Sequence, residues 1–111
     1  MRVLLDECLP RRLARELSGH EVATVPQAGW AGLRNGQLLS VIGNDWDVFV
    51  TIDGGLEWQQ SLRGRSFAVV VLSSVSNRIE DLRPLLPELA RVLEQARPGT
   101  VWRVPAASAS A

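Results

Sequence analysis

Apolar residues along the chain follow two spacings, short continuous runs and runs that repeat every three or four positions. Arg2 to Leu5, Asp47 to Ile52 and Phe67 to Leu72 are continuous, the pattern of strands buried on both faces. Glu21 to Val25 alternates enough to lie near a sheet edge, and Thr100 to Val104 predicts a short fifth strand. Leu13 and Leu17 share one helical face over Pro10 to Ser18, with Pro10 suited to a first turn and Gly19 to a stop. Leu38, Leu39 and Ile42 do the same in a helix that begins near Asn35, a good N-cap, and ends at Gly43. From Ile79 to Ala96 the positions Ile79, Leu82, Leu86, Leu89, Val92 and Leu93 mark an amphipathic helix whose regular start Pro84 and Pro87 delay. Gly54 and Gly55 allow a sharp turn before a short helix over Leu56 to Leu62.

Strands alternating with helices predict a three-layer α/β/α sandwich around a mostly parallel sheet of four to five strands. The 111 residues suffice for one core, so residues 1–104 are expected as one domain and 105–111, rich in Ala and Ser, as a disordered tail.

The arrangement acquires chemistry at its strand ends. Asp6 and Glu7 follow the first run directly, and Asp53 follows the third strand. In parallel α/β sheets ligands gather at the carboxyl ends of strands, where residues distant in sequence converge. Paired carboxylates there suit Mg²⁺ or Mn²⁺, hard cations that take one or two protein carboxylates and leave room for water and substrate phosphate. The alternative is that Asp6 and Asp53 cap the helix and turn that follow them. Glu7, adjacent to Asp6, points its side chain the other way and is expected in a supporting role.

Composition narrows the function further. Hydrophobic residues make up 46% and charged residues 22%, an ordinary globular balance. The apolar runs fall well short of the ~20 residues that span a bilayer. Asp6 and Glu7 interrupt the first run before a signal core could form, so a cytoplasmic location is expected. All 12 basic residues are Arg and 12 acidic residues balance them, so nucleic-acid binding would depend on a local patch. Cys8 is the single cysteine and has no intramolecular partner. Neighbouring carboxylates would raise its thiol pKa, which favours packing over nucleophilic chemistry.

A phosphate-accepting receiver domain shares the acidic pair after the first strand and the Asp after the third, and Ser73 and Ser74 after the fourth strand extend the likeness. That family relies on a Lys after its fifth strand, and this chain contains no Lys.

A second resemblance covers nearly all of Met1 to Val104. The opening Met1-Arg2-Val3-Leu4-Leu5-Asp6-Glu7-Cys8-Leu9-Pro10, the step Gly19-His20-Glu21-Val22, the segment Gly29-Trp30-Ala31-Gly32-Leu33-Arg34-Asn35-Gly36 and the strand Asp47 to Asp53 resemble a short PIN-like family. Leu56-Glu57-Trp58-Gln59-Gln60 and Ser76-Asn77-Arg78 continue the match in order. The resemblance implies a PIN-like fold and, by relation to the PIN superfamily, a Mg²⁺- or Mn²⁺-dependent ribonuclease, often the toxin half of a toxin-antitoxin pair. It implies an RNA substrate, a small antitoxin protein as partner and, by analogy of fold, a homodimer.

Carried over by position, Asp6 and Asp53 would be the metal ligands and the catalytic pair. Thr51 would support the Asp53 carboxylate, and the helix beginning at Asn35 would add a polar group to the same cleft. Two positions depart from the pattern: relatives often carry an acidic residue where this chain has Gln37, and Asn where it has Cys8. A neutral Gln oxygen cannot neutralise a cation, so metal affinity should fall. A fold retained as an interaction module with weakened or lost catalysis is the competing expectation.

Among the remaining polar residues, Arg34, Asn77 and Arg78 stand where they could hold substrate phosphate, as do Arg63 and Arg65. Solvated surface charge is the alternative for the arginines and a helix cap for Asn77. Trp30 and Trp58 could stack on bases or pack on the sheet. His20, at a helix-to-strand junction, falls at the end of the sheet away from Asp6.

Overall fold

The computed structural model describes residues 1–33, 35–52, 62 and 64–105, with Asn35 described by its backbone alone. Arg34, Asp53 to Ser61, Arg63 and the tail after Pro105 lie outside the described residues. Five strands form one sheet: β1 (Arg2–Leu5), β2 (Glu21–Thr24), β3 (Val48–Thr51), β4 (Ala68–Leu72) and β5 (Val101–Val104). Their order is β2-β1-β3-β4-β5 and every neighbouring pair is parallel. The helices among the described residues are α1 (Leu13–Glu16), α2 (Asn35–Ile42), α3 (Ile79–Leu82) and α4 (Leu86–Gln95), the last two joined by a 3₁₀ turn over Arg83–Leu85.

The continuous apolar runs have the expected physical cause. Alternate residues of the central strands face opposite sides of the sheet and both sides are buried. Val3, Leu5, Val48, Val50, Ala68, Val70 and Leu72 meet Leu13 and Leu17 near α1 and Leu82, Leu89 and Leu93 of α3 and α4. On the other side Leu4, Phe49, Val69 and Val71 meet Leu38, Leu39 and Ile42 of α2, with Trp46, Leu62 and Phe67. Burying roughly a dozen Leu, Ile and Phe side chains, each worth about 1.5–3 kcal/mol, is the main source of stability.

Two helices differ from their expected extents. The Pro10–Ser18 helix contracts to Leu13–Glu16, because residues 10–12 form tight turns with bonds from Leu13 N to Pro10 O, Ala14 N to Arg11 O and Arg15 N to Arg12 O. The chain then turns through Gly19, whose φ of +88° an L side chain rarely adopts. The Ile79–Ala96 helix is split, since Pro84 and Pro87 lack the N–H groups a continuous helix would bond and stand second in the 3₁₀ turn and in α4.

The β2-to-β3 connection crosses the sheet on the α2 face, and β1-to-β2 crosses in the other direction on the α1 face, so the two share one hand. The β4-to-β5 connection runs in the same direction as β2-to-β3, yet α3 and α4 pack on the α1 face. It therefore has the opposite hand, against the strong preference for a single one. The result is that α1 and the 3₁₀ turn after α3 are neighbours, joined by an ion pair from Arg83 Nε to Glu16 Oε1 at 2.8 Å. Among the described residues no helix is long and apolar enough to cross a membrane.

Candidate functional site

Strand order reverses between β1 and β3: the chain leaves β1 toward one edge and, after β2, returns to β1's other side. A crevice at the carboxyl ends of the strands forms at such a switch point because the connections depart in opposite directions. Asp6 is the residue that leaves β1 there. Its backbone N–H bonds Val50 O at 2.9 Å, which extends the β1–β3 pairing by one residue and fixes the residue at this end of the sheet.

Both oxygens of the half-buried Asp6 carboxylate are positioned. Thr51 Oγ1 donates to Oδ2 at 2.6 Å and the Glu7 backbone N–H donates to Oδ1 at 2.8 Å. A carboxylate has about four lone-pair positions, so each oxygen keeps capacity for another partner. Thr51 is fully buried, and among the described residues the carboxylate it supports is that of Asp6. Asp53, two residues beyond Thr51 in the chain, lies outside the described residues.

Glu7 faces away from this carboxylate. Its Oε1 accepts the Gly32 N–H at 3.0 Å and so ties the β2-to-α2 connector to the end of β1. Gly32 has a φ of +86°, which suits glycine at the bend. Asn77 does not cap α3: Ser76 Oγ accepts the Arg78 N–H at 3.0 Å, while Asn77 Nδ2 donates to Cys8 O at 2.8 Å. Asn77 thereby joins the loop after β4 to the loop after β1. Arg78 is exposed and forms a loose ion pair with Glu80 at 3.8 Å.

Cys8 belongs to the same cluster, half-buried beside Asp6, Thr51 and the Ile52 backbone. Burial pushes its thiol above the ordinary range and the Asp6 charge adds to the rise, while hydrogen bonds from the Ile52 backbone and the Thr51 side chain oppose it. A thiol held in its neutral form is a poor nucleophile.

Gln37 is exposed on α2, and its side chain makes no hydrogen bond among the described residues. Asn35 opens the same helix. Trp30 packs partly buried against the core on the α2 face. His20 stands just before the amino end of β2, with Nδ1 buried and unpartnered among the described residues. Arg34, Arg63 and Trp58 lie outside the described residues.

A cavity of about 450 Å³ opens at the carboxyl ends of β3 to β5, lined by Ile52, Leu72, Ser73, Ser74, Arg103 and Pro105. Arg103 was not apparent from sequence, since a lone charge in a short strand gives no sign of which end of the sheet it faces. The residue directly after β5 is Pro105, where a receiver domain would need its lysine.

As a test of fit for a divalent cation, Asp6 provides a hard oxygen donor with free lone pairs at a crevice. The described residues contain no group of three His, Cys, Asp or Glu side chains able to enclose an ion. Asp53, the second ligand expected from the sequence, lies outside the described residues. Comparison of the chain with protein-family models, curated proteins and solved structures gives no match.

Proposed function

We propose that the protein is a PIN-like, metal-dependent RNA endonuclease in which Asp6 and Asp53 hold Mg²⁺ or Mn²⁺. The observation that carries this reading is the carboxylate of Asp6, fixed by Thr51 and by the Glu7 backbone at the switch point of a parallel sheet. The sequence resemblance and the position of Asp53 directly after the β3 run support it. A divalent cation bound there would polarise a phosphodiester and lower the pKa of a coordinated water.

The chain's own groups prepare the crevice. The Thr51 hydroxyl holds Asp6 in one rotamer, which removes side-chain freedom that binding would otherwise have to restrict. Glu7 holds the Gly32 connector and Asn77 holds the loop after β4, so the crevice is bordered by segments tied to β1.

RNA cleavage with and without divalent metal tests the proposal, comparing wild type with Asp6→Ala. Metal-dependent cleavage lost in the variant is expected; cleavage that persists would sink the mechanism. A second reading, an interaction module without hydrolysis, is favoured by exposed Gln37, which offers no charge to a cation. Absence of metal-dependent cleavage together with retained RNA binding would select it.

A further inference from the structure

Arg11, Arg12 and Arg15 are exposed and have no acidic partner among the described residues. Together with Thr24 and Gln27 they line a cleft of about 550 Å³ between α1 and the carboxyl end of the edge strand β2. The Gln27 side-chain oxygen accepts the Thr24 N–H at 2.9 Å, and the Thr24 hydroxyl accepts the Gln27 N–H at 3.2 Å. That arrangement leaves the Gln27 amide NH₂ as a further donor. No carboxylate lines this cleft.

A second cleft, of about 400 Å³, lies on the other side of α1 and is lined by Pro10, Arg12, Arg78, Ile79 and Glu80. Arg12 belongs to both, so a basic track runs around α1 from Arg78 to Gln27. Glu80, paired with Arg78, is the sole acidic group along it. A neutral chain that collects unpaired guanidinium groups on one track carries a local positive field, and each planar fork matches a phosphate bidentately.

We propose that this track binds the phosphodiester backbone of single-stranded RNA and leads it to the Asp6 crevice, an inference that rests on the nuclease reading for the identity of the polyanion. Arg11 and Arg12 stand on the same β1-to-α1 connector that carries Asp6, which gives a bound strand a continuous path toward that carboxylate. An acidic peptide is the less suitable occupant. Peptide partners anchor through buried apolar side chains, and the Arg11 cleft offers only Ala14 and Val22.

The test is binding of a fluorescein-labelled single-stranded RNA of mixed sequence, titrated in EDTA at several salt concentrations by anisotropy. Proteins compared are wild type, the triple variant Arg11→Ala/Arg12→Ala/Arg15→Ala, and Arg97→Ala as a charge control in a separate cavity. Each lost phosphate contact lowers the slope of log affinity against log salt by about 0.7, so the triple variant should lose about 2 in slope and roughly 10- to 100-fold in affinity. Arg97→Ala should bind near the wild-type level.

An unchanged affinity and slope in the folded triple variant would overturn the track, as would polyglutamate competing as well as RNA. Melting curves establish that the triple variant is folded. The two readings fail separately. RNA binding that depends on the arginines without metal-dependent cleavage removes the nuclease and keeps the track; cleavage whose KM is unchanged in the triple variant does the reverse.

Discussion

Thr51 Oγ1 donates a 2.6 Å hydrogen bond to Asp6 Oδ2, linking the end of β3 to the residue that leaves β1. Thr51 is wholly buried, so its hydroxyl has no water to replace this acceptor. Thr51→Val keeps the shape and removes the donor. We expect a loss of about 1–2 kcal/mol by urea denaturation, toward the low end for a bond to a charged group because Asp6 is half exposed. A loss below experimental error would show that the bond does not position Asp6.

Metal linkage provides a second check. If Asp6 and Asp53 hold a divalent ion, Mn²⁺ at ten times its Kd should stabilise the wild type by about 1.4 kcal/mol and raise Tm. Asp6→Asn and Asp53→Asn should each abolish the shift. An equal shift in all three proteins would locate the binding elsewhere.

Cys8 provides a pH dependence of unusual simplicity. The chain has no Lys and no Tyr, so Cys8 is the only side chain that loses a proton between about pH 8 and pH 11. Its folded pKa is raised, chiefly by burial. Above about pH 8.5 the unfolded thiol ionises while the folded one keeps its proton, so the unfolded state binds fewer protons and stability falls as pH rises. The fall ends once pH passes the folded value. In metal-free buffer Cys8→Ala should flatten this alkaline limb, and iodoacetamide should label native Cys8 more slowly than the unfolded chain. A limb that survives in Cys8→Ala would refute the assignment.

Two glycines give opposite expectations from the same substitution. Gly32 has a φ of +86° with open space around its missing Cβ, so Gly32→Ala carries a backbone penalty alone, about 1–2 kcal/mol. Gly36 lies within α2 without positive φ and is equally uncrowded, so Gly36→Ala should stabilise by about 0.5 kcal/mol. Thermal melts of the pair decide the matter, and destabilisation by both would mean that α2 begins differently.

Much of the fold was legible because its central strands are buried on both sides. Continuous apolar runs located β1, β3 and β4 to within a residue, and the alternation in β2 marked it as an edge. Asp6 was visible for the same reason, as the first charge after a buried run. Its tie to Thr51 was not, since that depends on the register Leu5↔Val50, which strand pairing sets and spacing does not record. Arg11, Arg12 and Arg15 did not stand out in the sequence, because their meaning comes from Thr24 and Gln27 across the edge, and from Arg78, which a crossover of unusual hand carries to the α1 side.

β1 lies between β2 and β3 although it is made first. During synthesis Asp6 emerges long before Thr51, and non-local parallel pairing is slow because the intervening loop must close before contacts repay it. The Asp6 carboxylate thus lacks its Thr51 partner until β3 has been translated and docked. A nascent or truncated chain ending before β3 would carry the first carboxylate without its clamp. If the chain is the nuclease proposed above, folding itself would then delay assembly of its carboxylate pair until the sheet is complete.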